Sequence, residues 1–153
     1  MDVGYGQLDW RLRQDSRVVV LERTNVRYLE PTALKEKVNL AVVDVSFISL
    51  RLVLPKACSL LSFPFEILAL IKPQFEVGRG KVGKGGVVRS EDEHKRVIGE
   101  IEKEADTLGL TRQPVFQSPL LGLKGNKEFF IYCGSPAGPM PDSNAVSGLD
   151  LDG

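Results

Sequence analysis

A lysine and an aspartate that end neighbouring apolar runs can pass a proton between them, and this chain places such a pair at Asp44 and Lys72. Asn39-Leu40-Ala41-Val42-Val43 leads into Asp44, and Glu66-Ile67-Leu68-Ala69-Leu70-Ile71 leads into Lys72. Each residue stands where buried-looking sequence turns polar. In a partly buried crevice, burial lowers a lysine pKa and a neighbouring carboxylate tunes it, which makes the pair a candidate for proton transfer. A strand-end ion pair that only orients loops is the structural alternative. Asp2 and the stretch Glu22 to Asn25 fall at comparable points. A carboxylate there accepts two hydrogen bonds and suits the paired hydroxyls of a ribose. Glu128 precedes Phe129-Phe130-Ile131, and a lone glutamate at a strand start usually faces solvent.

The glycine-rich stretch 78–89 is the second candidate. Gly78, four residues, Gly83 and Lys84 follow most of a P-loop, but Gly85 stands where a magnesium-holding Ser or Thr is needed. The stretch also begins well after the preceding strand, behind Lys72-Pro73-Gln74-Phe75-Glu76, so it fails as a Walker motif. Residues 72–89 carry five basic side chains, Lys72, Arg79, Lys81, Lys84 and Arg89, against the single acid Glu76. A basic loop that meets phosphates and a merely solvated loop both fit that composition. His94 reads as exposed among charges and chemically inert, Cys58 as a small buried residue, and Trp10 with Leu8 as packing for a first helix.

The elements that must position these groups alternate. Arg17–Glu22, Asn39–Asp44 and Glu66–Ile71 read as strands, and their continuous apolarity suggests cover on both faces, as in a parallel sheet. Helical pattern covers Gly6–Gln14 and roughly Phe47–Ser62, where Pro55 predicts a helix start or a kink. The clearest helix is Glu91–Leu108, with Ser90 as N-cap, Glu93 completing a capping box and Gly109 placed to end it. Arg112–Gln117 and Lys127–Cys133 read as antiparallel strands joined by a turn-rich connection. The fold class expected is α/β, a doubly wound, Rossmann-like sheet that ends in an antiparallel strand pair. Met1-Asp2-Val3-Gly4 resembles the end of a strand, which predicts a sheet lacking its first strands. Gly134–Gly153, rich in Pro, Gly, Ser and Asp, reads as a disordered tail behind a domain spanning residues 1–133.

Composition narrows the classes. The chain has 153 residues, 42% hydrophobic and 26% charged, the profile of one soluble globular domain. Twenty basic side chains balance twenty acidic ones, so no global field steers it to nucleic acid or membrane. Apolar runs are too short for a membrane span, and the acidic and basic residues near the start oppose a secretory leader. Two cysteines far apart and a single histidine offer neither a disulfide framework nor a metal site, which favours a reducing, cytoplasmic compartment.

The runs DVGYGQLDWRLRQDSRVVVLERTNVR, VVDVSFISL, LIKPQFEVGRGKVGKGGVVR and SPLLGLKGNKEFF, in that order, resemble the TlyA (haemolysin-A-like) family. Its members are FtsJ-like ribosomal RNA ribose 2′-O-methyltransferases that use S-adenosylmethionine. Over residues 1–133 the resemblance implies that Asp44, Lys72 and Glu128 match three members of a Lys-Asp-Lys-Glu tetrad. It further implies that Asp2 holds the cofactor ribose and that Glu22 to Asn25 bound the adenine beside Asp44. Arg79, Lys81, Lys84 and Arg89 of the basic loop are the candidate RNA contacts on charge alone. The expected partners are ribosomal RNA and ribosomal subunits, with a cytidine ribose as target and no membrane. The family's first tetrad lysine, its cofactor glycine loop and an S4-like domain find no match here, so the chain alone is expected to be inactive. The missing strands are expected between Arg17–Glu22 and Asn39–Asp44. The competing reading is a non-catalytic RNA- or nucleotide-binding remnant built on the basic loop. Membrane lysis is disfavoured, because the one clear amphipathic helix opens on acidic residues.

Overall fold

The computed structural model describes residues 1–78 and 80–136. Its elements run α1 (Trp10–Arg13), β1 (Leu40–Val43), α2 (Leu50–Leu60), β2 (Glu66–Ile71), α3 (Pro73–Glu76), α4 (Glu91–Thr107), β3 (Thr111–Arg112), β4 (Phe116–Gln117) and β5 (Phe129–Gly134), with short 3-10 turns between. The architecture is mixed α/β around an open sheet. β1 pairs with β2 in parallel, β2 pairs with β5 antiparallel, and β3 and β4 pair in turn with β5.

One face of the sheet carries the core. Directly opposed residues of paired strands point to the same face, so Ile67 with Cys133, Ala69 with Ile131 and Ile71 with Phe129 form a continuous apolar column. All six side chains are buried. Leu50, Val53, Leu54 and Ala57 of α2 and Val97, Ile101 and Ala105 of α4 join them in one cluster. The opposite face, with Leu68, Leu70, Phe130 and Tyr132, is only half-buried. There the Tyr132 hydroxyl donates to Glu66 at 2.5 Å and Phe116 stacks on Phe130. Continuous apolarity in β2 therefore reflects one covered face and one partly covered face.

The run predicted as a strand over Arg17–Glu22 does not join the sheet. Its end instead clasps the first residues: Asp2 N–H donates to the Leu21 carbonyl at 2.8 Å, Arg23 N–H to Gly4 and Thr24 N–H to Asp2, both at 3.0 Å. Nothing covers Val19, which stays exposed. The first helix shrinks to α1, capped by Asp9, and Trp10 is exposed rather than packed on the sheet. α2 starts at the Ser49 cap and runs through Pro55. The strand predicted over Arg112–Gln117 divides into β3 and β4, because Pro114 has no N–H to give the ladder. α4 follows its sequence signals: Ser90 Oγ accepts from Glu93 N–H at 3.3 Å, and Gly109 takes φ +71 just beyond its end. Cys58 and Cys133 are free and buried, and burial pushes both thiols up to about 11. Among the described residues no helix is long and apolar enough to cross a membrane. Most of the predicted tail, residues 137–153, lies outside the described residues.

The loops after β1 and β2 are tied to each other. The buried Glu76 carboxylate accepts from the Leu50 N–H at 2.7 Å and from the Ser49 hydroxyl at 2.6 Å, and so anchors the start of α2 to α3. Glu76→Ala leaves both donors unsatisfied and should cost about 1–3 kcal/mol of stability. Glu76→Gln, which retains an acceptor, should cost less. Urea denaturation of the two variants checks the order.

Candidate functional site

Strand register brings the polar groups together. Val43 lies opposite Ala69, so Asp44 and Lys72 leave the carboxyl ends of adjacent parallel strands. Ile71 lies opposite Phe129 in the antiparallel pair, so the residue after β2, Lys72, and the residue before β5, Glu128, leave the sheet at the same end. Lys72 Nζ sits 2.5 Å from Asp44 Oδ1 and donates to Ser46 Oγ at 3.2 Å. The Lys72 side chain is 15% exposed and that of Asp44 65%, so the lysine forms the floor of the site and the carboxylate its open lip.

Glu128 is buried, against the expectation that it faces solvent. Two residues outside its own strand account for this. Gln74 Nε2 donates to Glu128 Oε1 at 3.0 Å, and Gly122 leaves room for the carboxylate, since a β-carbon there would overlap it. The Glu128 carbonyl meanwhile accepts from Ser118 N–H at 2.8 Å, closing the loop between them. Among the described residues, Gln74 Oε1 is the buried side-chain oxygen with no hydrogen-bond partner.

Phe47 was not singled out by its sequence context. It holds φ +62, a conformation that a bulky L-residue rarely adopts, and its ring packs 4.7 Å from that of Phe75 while remaining 90% exposed. Backbone strain of this kind clusters where a side chain is held for use. An aromatic three residues beyond a candidate catalytic aspartate is the signal that could have found it.

An open cleft of about 660 Å³ runs along the free edge of β1, lined among others by Asp2, Leu21, Asn25, Val26, Asp44 and Val45. Asp2, Asn25 and Asp44 thus share one space. Glu22 turns away from it: Arg13 pairs with its carboxylate, Gly6 N–H donates to it at 2.9 Å, and the guanidinium holds the carboxyl below its usual range. Asn25 Oδ1 accepts from Arg27 N–H at 3.0 Å and caps a 3-10 turn.

The basic loop lies on the other side of the Lys72 site, toward α4. Lys81 reaches Glu93 at 3.2 Å, whereas Lys84 and Arg89 are exposed; Arg79 lies outside the described residues. His94 is buried, contrary to its sequence reading, because residues 87–89 fold back over the first turn of α4. Its Nε2 stands 3.0 Å from the Val88 carbonyl and its ring meets Phe129 edge-on.

Residues 1–135 match the FtsJ-like methyltransferase family. The chain is 50% identical over 131 residues to "16S/23S rRNA (cytidine-2'-O)-methyltransferase TlyA" of Mycobacterium tuberculosis, a match covering 86% of this chain and 49% of the relative. To "Hemolysin A" of Brachyspira hyodysenteriae it is 33% identical, covering 86% of this chain and 55% of that one. A crystal structure of a candidate hemolysin from Lactococcus lactis superposes with a TM-score of 0.83 at 40% identity, over 87% of this chain and 64% of the other. The chain spans about half the length of the curated relatives it matches.

Gly122→Ala drives a methyl group into the Glu128 carboxylate and should destabilise the fold by about 1–3 kcal/mol. In a Glu128→Ala background most of that cost should vanish. A double-mutant cycle by urea denaturation reads the coupling.

Proposed function

The chain belongs to the FtsJ-like methyltransferase family, and on that footing we propose that it forms part of an enzyme that methylates ribosomal RNA at a ribose 2′-hydroxyl with S-adenosylmethionine as methyl donor. The observation that supports this reading most directly is the Lys72–Asp44 pair at the ends of adjacent parallel strands, with Glu128 leaving the sheet beside it.

A ribose hydroxyl is a weak nucleophile at neutral pH, so its proton must leave as its oxygen attacks. Lys72 is the residue placed to take that proton, at Nζ. Asp44 and Ser46 fix the direction of the amine, and Glu128, held by Gln74 at the same end of the sheet, stabilises the ammonium that forms. Holding the hydroxyl in line with the transferring carbon supplies much of the remaining rate. Lys81, Lys84 and Arg89 meet RNA phosphates, and the exposed face of Phe47 offers a surface on which a nucleobase stacks.

The cleft along β1 fits the cofactor in kind. S-adenosylmethionine, when bound, supplies an activated methyl group on a sulfonium. Asp2 would accept from its ribose hydroxyls, while Leu21, Val26 and Val45 provide apolar walls for the adenine. Glu22, engaged with Arg13 and Gly6, has no part in this assignment.

Because the cleft is open along β1, where Val42 is 72% exposed, a nucleoside in it is only partly enclosed. The purified 153-residue chain is therefore expected to transfer no labelled methyl group to ribosomal RNA, and robust incorporation would overturn that. In a methylation-competent form of the protein, Lys72→Ala should lower kcat by at least about 10²-fold with little change in RNA affinity. Unchanged turnover would remove Lys72 from the mechanism. A large loss of affinity instead would favour a binding role for this end of the sheet.

A further inference from the structure

Flexible basic loops grip phosphates poorly, because each contact must first immobilise the chain. The loop at Lys81–Arg89 is not left free in this way. Gly83 N–H donates to the Val87 carbonyl at 3.1 Å and Gly86 N–H to the Gly83 carbonyl at 3.0 Å, while Gly85 and Gly86 take φ +83 and +84. Inside this turn the Asn126 side chain is almost fully buried. Its Oδ1 accepts from Val88 N–H, and its Nδ2 donates to the carbonyls of Gly86 and Leu123, each at 3.0 Å. Those partners fix the orientation of the amide, since turning it over would set donor against donor and acceptor against acceptor. His94 holds the same residue, Val88, through its carbonyl. Asn126 lies two residues before Glu128, and Lys124, at φ +60, extends its amine toward Gly86.

We propose that Asn126 is a positioning residue that yokes the basic loop to the run carrying Lys124 and Glu128. Lys84, Arg89 and Lys124 thereby form one rigid phosphate-gripping rim at a fixed offset from Lys72 and Glu128. This rests on the reading that the loop meets RNA, and it adds Lys124 to the phosphate contacts. A loop tethered through both the N–H and the carbonyl of one residue keeps its cations in register with the strand. A loop without the amide tether would still carry the charge but not the geometry. Asn126 thus acts on RNA through the backbone of its neighbours, and no charge of its own is involved.

The test measures the affinity of the 153-residue chain for in-vitro transcribed 23S ribosomal RNA over a series of salt concentrations, with thermal melting followed in parallel. Asn126→Ala should weaken binding about tenfold and flatten the salt dependence by about two units of slope, corresponding to two lost phosphate contacts. Asn126→Asp keeps the acceptor for Val88 but sets a carboxylate oxygen against the Gly86 and Leu123 carbonyls, so it should weaken binding at least as much as Asn126→Ala. If Asn126→Ala melts without a cooperative transition, His94→Phe carries the test. It removes the tether on the carbonyl side of Val88, retains an aromatic ring against Phe129, and should flatten the slope in the same direction. A folded variant with unchanged affinity and slope, lower only in melting temperature, would show that Asn126 is merely structural and overturn the proposal. The combined variant Lys81→Ala, Lys84→Ala, Arg89→Ala separates the two layers. If it binds RNA as well as the parent, the reading of the loop as an RNA contact fails and the yoke falls with it. If it binds weakly while Asn126→Ala binds normally, only the yoke fails.

Discussion

The antiparallel register of β2 with β5 is the constraint on which everything else in this chain rests. Six residue pairs, from Glu66 opposite Gly134 to Ile71 opposite Phe129, set two outcomes at once. They stack Ile67, Ala69, Ile71, Phe129, Ile131 and Cys133 on the face covered by α2 and α4, and they bring Lys72 and Glu128 to one end of the sheet. Side chains alternate along a strand, so a slip of one residue would turn that whole column outward and separate the two polar groups. Core and site are therefore specified by the same hydrogen bonds. A sequence that preserves one preserves the other.

Around that register the polar groups are fixed by partners drawn from elsewhere in the chain. Glu76 joins the loop after β2 to the start of α2, and Phe75 against Phe47 makes a second link between the same two loops. Gln74 and Gly122 together decide where the Glu128 carboxylate can lie, one by a hydrogen bond and one by having no side chain. The Lys72-Pro73-Gln74-Phe75-Glu76 run thus contributes an ion-paired amine, a carboxylate holder, an aromatic brace and a helix anchor within five residues. Geometry of this kind is held by buried polar groups whose hydrogen bonds are nearly all met.

Much of this was legible in the sequence, and what was not has identifiable causes. β1, β2, β5 and α4 carry their own signals in apolar runs, a serine cap and a terminal glycine, so they appear close to where pattern places them. Asp44 and Lys72 stand at ends of legible strands, and their meeting follows from that. Val18-Val19-Val20 has the composition of a strand, but composition does not say whether a neighbouring strand is there to receive it. The burial of Glu128 and of His94 depends on segments far away in sequence: Gly122 and Gln74 for the one, Val88 for the other. An exposed Trp10 and a left-handed Phe47 are likewise matters of tertiary placement, which periodicity does not encode.

The open side of β1 has a consequence for the behaviour of the chain in a test tube. Among the described residues Leu40-Ala41-Val42-Val43 presents an unclaimed row of peptide donors and acceptors, and the strand itself contains no proline, lysine or bulge to blunt it. Such a row is a template. In a concentrated solution each molecule offers its neighbour a ready-made place to continue the sheet, and the exposed Leu40 and Val42 reward the contact with apolar burial. Colloidal behaviour of the chain is then governed less by its zero net charge than by four residues of backbone. A charged or proline substitution on that strand is the natural lever for keeping the protein dispersed.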